Sequence, residues 1–303
     1  MTAHNWRGSF AIPMTPFDER DRIDEDVLAA EIDFCIASGV GGIVVPVMVS
    51  EFQVLSEEER RLMIRIPVEV ARARGRKHVP IVANCAAINA PLAVSYAVYA
   101  EKIGADAVIT MPPYGLAPDF DTIYAYFKAI SDAVTIPIWI QNAGLVPLSL
   151  DQVIKLCTEI EHVRWVKEEV TPGPQRIGQL IDRKCPAIDG VMGGYGGRYM
   201  ITEWARGAAG VIHACPFCDV VQRIWELLDA GEEAAARHLF EHVLPGLTLE
   251  GLMGMAFAKE IMIRRGVFKN YRMRSQARPL DAHDLREIDR VWERIQPYLI
   301  WSK

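Results

Sequence analysis

Eight short apolar runs recur along the chain, and stretches of helical periodicity separate them. The runs are "SFAIPMTPF", "GGIVVPVMV", "VPIVANC", "DAVITMPP", "IPIWIQN", "VRWVKEE", "AIDGVMGG" and "GVIHACP". Strands that alternate with helices connect through right-handed crossovers and lie parallel. Strands that are apolar on both faces are buried on both faces, and eight of them fit a closed barrel better than an open sheet. The open doubly wound alternative also lacks a glycine-rich dinucleotide fingerprint after its first strand. The fold expected is therefore α/β, a (β/α)8 barrel over residues 1–230.

The helical stretches carry their own start and stop signals. "DEDVLAAEIDFCIASG" opens on acidic residues and closes on Gly39, and "LSEEERRLMIRIPVEVARARG" opens with Ser56 and Glu59, the spacing of a capping box. "APLAVSYAVYAEKIG", "DTIYAYFKAISDAV" and "SLDQVIKLCTEI" follow the same period. After the eighth run the strands stop. "EEAAARHLFEHVLPGL", "LEGLMGMAFAKEIMIRRG" and "DAHDLREIDRVWERIQPYL" predict three further helices, a C-terminal extension over residues 231–303.

A formal charge of −6 argues against nucleic acid or an anionic membrane as a partner. No run is long enough to span a bilayer, and the start of the chain lacks the charged and apolar segments of a signal peptide. The six cysteines are scattered, which suggests reduced thiols in a cytoplasm.

In a barrel of this kind the chemistry sits at the C-terminal ends of the strands. Of nine lysines, only Lys167 falls in a predicted strand, near its end; the others, Lys77 and Lys303 among them, fall in helices, loops or the tail. Val163, Trp165 and Lys167 share one face at period two. An amine in a partly apolar barrel mouth has its charged form disfavoured, and a neutral amine attacks a ketone to form an imine. The protonated imine withdraws electrons and acidifies the neighbouring carbon. Position alone equally allows a lysine that ends a strand and pairs with Glu168 or Glu169.

Several stretches together resemble the dihydrodipicolinate synthase/N-acetylneuraminate lyase family of Schiff-base barrels. They are "GSFAIPMTPF", "GVGGIVVPVMVSEFQVLSEEER", "GADAVITMPPY" and "VRWVKEE". The resemblance covers nearly the full length, three terminal helices included. It implies that Lys167 forms the imine with a 2-oxo acid, that no cofactor or metal is needed, and that the protein is a homotetramer. It also implies a site built from Tyr114, Val49, Ser50, Glu51, Gln141, Asn142, Glu169, Gly194 and Ile212.

The chain departs from the family pattern at informative places. Where well-known members carry Gly-Thr-Thr-Gly-Glu, it reads "VMVSE", so Met48 and Val49 replace two threonines and Ser50 is the remaining hydroxyl. Gln141 stands where the family places a proton-shuttling tyrosine, and an amide is no general acid at neutral pH. The arginine that holds a dicarboxylate is missing from "GLVPLS", and Gly115 follows Tyr114 in place of a second tyrosine. These losses argue against dihydrodipicolinate synthase and ordinary sialic acid lyase activity. "VSEF … MPPY … IQNAG … KEEVTPG" is similar to the branch of 2-keto-3-deoxy sugar-acid dehydratases, the 2-keto-3-deoxyarabonate type especially. There, imine formation at C2 acidifies C3, and the C4 hydroxyl leaves as water. Tyr114, Ser50, Glu51 and Glu169 are the candidate acids and bases, and Glu168 is expected to order the strand end. An aldolase of the same substrate class is the alternative; a barrel that binds a 2-oxo acid without catalysis is a third.

Three further features carry less. Gly193, Gly194, Gly196 and Gly197 suit either an anion-binding loop or a permissive turn. Cys215 and Cys218 lack the context of a redox or zinc motif. His238 and His242 are four apart on a predicted helix, without a glutamate where a zinc protease needs it.

Overall fold

The structure, a computed structural model, describes residues 5–74, 79–115, 117–275 and 278–300. Lys77, Lys303 and Gly75, where the second predicted helix was to end, lie outside the described residues.

Each of the eight apolar runs holds one strand: β1 (Gly8–Ile12), β2 (Gly42–Val45), β3 (Ile81–Asn84), β4 (Ala107–Thr110), β5 (Ile138–Asn142), β6 (Val163–Glu168), β7 (Gly190–Gly193) and β8 (Gly210–Ala214). They order as β1 through β8 in a closed barrel, and every recorded pairing is parallel. Between them run α1 (Glu25–Ala37), α2 (Glu57–Ala73), α3 (Ala90–Ile103), α4 (Phe120–Ser131), α5 (Leu150–Glu159), α6 (Gly173–Asp182) and α7 (Met200–Trp204). The chain ends with α8 (Cys218–Asp229), α9 (Glu233–Met253), α10 (Met255–Arg264) and α11 (Ala282–Ile295). Helix starts follow the local chemistry. Asp24, Asn89, Asp119 and Ser149 accept from backbone amides of the first turn, and Ser56 with Glu59 closes the predicted capping box.

Two boundaries differ from the sequence expectation. α9 was expected to end near Leu247 and a second helix to begin near Leu249. Instead α9 passes through Pro245 and continues to Met253. The break falls at Gly254, whose φ of 66° and ψ of −145° only glycine adopts without strain. The periodicity also left α6, α7 and α8 unassigned. α7 has five residues, too few to establish a period, and Pro172 and Gly173 open α6 without a side-chain cap.

The chain forms two compact units. One holds the described residues of Met1–Arg7, Pro80–Gly194 and Tyr199–Ile212; the other holds those of Gly8–Val79, Tyr195–Arg198 and His213–Lys303. In the first, Trp139 of β5 stacks on Trp165 of β6 at 4.9 Å between ring centroids, and Trp6 packs on both at 5.5 and 5.4 Å. In the second, Arg265, which caps the C-terminus of α10, makes a buried pair with Asp219 of α8, at 2.7 Å to Oδ1 and 2.9 Å to Oδ2. All six cysteines are free thiols, and Cys215 donates to the buried Glu31 carboxylate at 3.1 Å. Among the described residues no helix is long and apolar enough to cross a membrane.

Candidate active site

Strand register decides which side chains meet. Gln141 of β5 lies opposite Lys167 of β6, two residues beyond the stacked pair Trp139 and Trp165. At period two these four share one face, and Val163, Trp165 and Lys167 follow the expected alternation. The face is apolar where the indoles stack and becomes polar at the strand ends.

There the Lys167 ammonium pairs with the Glu169 carboxylate, Nζ to Oε2, at 2.8 Å. Gln141 Nε2 donates to the same oxygen at 3.2 Å. Lys167 and Gln141 are buried, and Glu169 is nearly so. Gln141 Oε1 is buried and, among the described residues, has no hydrogen-bond partner. The glycines after β7 belong to this arrangement. A methyl group on Gly194 would overlap the Glu169 carboxylate, and one on Gly193 would overlap that of Glu203. The groups that these two glycines admit are therefore the protein's own carboxyls.

Glu203, on α7, was not anticipated from the sequence. It is completely buried, and among the described residues neither carboxyl oxygen has a partner at full hydrogen-bond geometry, the Gly194 amide being a weak, off-axis neighbour. Burial pushes its carboxyl up to about 8. The Gly194 amide opposes that rise, the Glu169 charge adds to it, and the Lys167 charge opposes it. A glutamate as the one charged residue in the stretch "MITEWA" is the signal that could have found it.

The next residue along each strand faces the opposite way and does different work. Asn142 Nδ2 donates to Glu168 Oε2 at 2.8 Å and to the Leu148 carbonyl at 3.2 Å, while its Oδ1 accepts from the Leu148 amide at 2.8 Å. Glu168 also accepts from the Val170 amide at 2.8 Å and from Arg176 Nε at 3.1 Å. Glu168 orders the strand end, as expected. Asn142, read as substrate-binding, has its amide committed to the β5–α5 loop.

Two other candidates are committed to the backbone within the second compact unit. Ser50 Oγ donates to the Pro13 carbonyl at 2.6 Å and accepts from the Val47 amide at 3.2 Å. Glu51 is fully buried: Oε2 accepts from Lys259 Nζ at 3.1 Å, and Oε1 accepts from the Arg274 and Ser275 amides and the Ser275 hydroxyl. Neither is a ready acid or base, because each already serves the turn after β2. Val49, in that turn, is half-buried.

Tyr114, in the loop after β4, is half-buried and close enough to Tyr126 to help, after burial and Cys85, push the pKa of that buried phenol up. Ile212 is buried in β8. Gly196 and Gly197 form a left-handed turn with Tyr195. Cys215 and Cys218 are buried in the turn that starts α8. The rings of His238 and His242 pack against Tyr298.

Comparison with known proteins places the chain in a family. The chain is 26% identical to L-2-keto-3-deoxyarabonate dehydratase of Azospirillum brasilense, over 98% of this chain and 97% of that one. It is 32% identical to 4-hydroxy-tetrahydrodipicolinate synthase of Bartonella bacilliformis, over 59% of this chain and 60% of the relative. The aligned part thus spans less than two thirds of several synthase relatives. Dihydrodipicolinate synthase from Rhodopseudomonas palustris superposes with a TM-score of 0.87 at 23% identity, covering 96% of this chain and 98% of that one. Residues 5–294 match the dihydrodipicolinate synthetase family, and the (β/α)8 barrel with its terminal helices agrees, so the chain belongs to that family.

Proposed function

We propose that this protein is a Schiff-base lyase that dehydrates a 2-keto-3-deoxy sugar acid of the L-2-keto-3-deoxyarabonate kind. The observation that carries the reading is the 2.8 Å pair of Lys167 and Glu169 at the end of β6. The full-length similarity to the Azospirillum dehydratase supports the substrate class. Lys167 passes a proton to Glu169 and attacks C2 of the 2-oxo acid; Glu169 returns that proton to the carbinolamine hydroxyl, which leaves as water, so an iminium bonded to the lysine and a free Glu169 carboxylate result. The iminium acidifies C3, and Glu169 is placed to take the C3 proton. Glu203, a neutral acid below pH 8, gives its proton to the C4 hydroxyl as the C4–O bond breaks and water departs. Hydrolysis of the imine then frees the product and restores the amine. Ser50 and Glu51 hold the turn after β2 in this scheme. We further propose a homotetramer in a reducing cytoplasm, consistent with six free thiols; light scattering tests the assembly.

Incubation with pyruvate and borohydride, followed by mass analysis, tests the imine. An adduct mapped to Lys167 is expected, and its absence overturns the reading. Products from a panel of keto-deoxy sugar acids then separate water loss from pyruvate release, which would instead mark an aldolase.

Two variants test the carboxyl groups. Gly194→Ala displaces Glu169 from Lys167, and misplacement by about 1 Å costs on the order of 100-fold in rate. Adduct formation at the wild-type rate in this variant would show that the close approach is dispensable. Glu203→Gln is expected to lower turnover by about 10²–10⁴-fold, the usual contribution of general acid catalysis. The same change has a stability signature. The folded carboxyl titrates near 8 against an ordinary 4.5, so between those values the native state holds a proton that the unfolded chain has lost. Stability therefore falls as pH rises from about 4.5 to 8 and is level above. Glu203→Gln removes that slope, and denaturation midpoints that still decline equally with pH would contradict the assignment.

A further inference from the structure

The buried, unpartnered acceptor on Gln141 has no role in the steps above. We infer that Gln141 Oε1 receives a hydrogen bond from a hydroxyl on the substrate chain, which makes Gln141 the residue that selects hydroxyl-bearing 2-oxo acids. The inference rests on the proposed lyase reading and specifies how its substrate is recognised.

Three observations carry it. Gln141 is directly opposite Lys167 in the β5–β6 register, so it lies beside any carbon chain bonded to that lysine. Its amide orientation is fixed: Nε2 donates to Glu169, and the reversed amide would set two acceptors against each other. Oε1 is consequently presented as an acceptor, and it is buried without a partner. A buried acceptor left unpaired is costly, and a ligand donor removes that cost.

The charges nearby choose the kind of donor. Glu169 holds the Gln141 amide, and Glu203 feels both Glu169 and Lys167. A second carboxylate on the substrate would meet like charge there, whereas a neutral hydroxyl supplies the donor that Oε1 lacks. Sites built to bond a hydroxyl reject analogues without it far more strongly than apolar pockets reject a missing methylene.

The test compares 2-oxopentanoate, 4-hydroxy-2-oxopentanoate and 4,5-dihydroxy-2-oxopentanoate, each trapped with borohydride on the intact protein. In the wild type, the dihydroxy acid is expected to half-saturate trapping at about 10–100-fold lower concentration than 2-oxopentanoate, the range for one buried unsatisfied polar group. Gln141→Leu should reduce that ratio to about threefold or less, whatever the change in its trapping of 2-oxopentanoate alone. A ratio taken within one variant separates recognition from a general loss of structure, which lowers the trapping of all three acids alike. A wild type indifferent to hydroxyls, or a Gln141→Leu variant that keeps the full preference, overturns the inference. If no acid is trapped, the imine reading fails by itself. Calorimetry with the same acids then decides the inference: a hydroxyl preference abolished by Gln141→Leu upholds it, and no preference overturns it.

Discussion

Lys167→Ala will lose turnover by about 10⁴-fold or more and will form no borohydride-trapped adduct, while remaining folded. The size follows from the proposed role. A covalent nucleophile cannot be partly replaced by its neighbours, and Gln141 and Glu169 offer no second amine. The variant also leaves the Glu169 carboxylate without its cation. Glu169 is partly exposed, at 17% of its side chain, so that loss is softened by solvent and the fold should survive. Circular dichroism establishes folding, and mass analysis after pyruvate and borohydride reads the adduct. A Lys167→Ala protein that is still trapped at another lysine would move the active amine elsewhere.

The largest expected effect on stability lies at Lys259, in α10. Its ammonium is fully buried and donates to Glu51 at 3.1 Å and to the carbonyls of Thr15 and Arg272 at 2.8 and 2.6 Å. The Phe17 ring lies 5.0 Å away. Burial pushes the amine down, and the Glu51 charge opposes that shift. Lys259→Met leaves the Glu51 carboxylate buried without its cation, and removing one partner of such a pair costs about 3–5 kcal/mol. The denaturant midpoint should fall accordingly. Changing both partners, Lys259→Met with Glu51→Gln, removes both charges and should recover part of the loss. A single variant within about 1 kcal/mol of wild type would mean that the pair contributes little.

Lys167 was legible in the sequence because a strand's period of two assigns a face to every residue, and the chain has one lysine in that setting. The barrel was legible for the same reason: eight apolar runs have few other ways to be buried. The capping box at Ser56 and Glu59 was readable because its partners are three residues apart. The roles of Ser50 and Glu51 were not, because they depend on chain-distant partners at Pro13, Lys259 and Ser275. Resemblance placed both at the substrate; the hydrogen bonds place them in the scaffold. Glu203 was hidden for a related reason. Its place beside Gly193 follows from a short helix after an irregular loop, and neither has a period to read. Asn142 shows the limit of motif transfer, since its strand position was right and its side chain faces the loop.

The three indoles of Trp6, Trp139 and Trp165 also bear on rigidity. Trp139 on β5 and Trp165 on β6 stack two residues before Gln141 and Lys167, and Trp6 packs on both with ring centroids 5.5 and 5.4 Å away. Large planar rings packed in this way resist sliding of one strand past the other. The glutamine and the lysine are thus held abreast before any ligand arrives, and the site is preorganised by groups that take no part in its polar contacts.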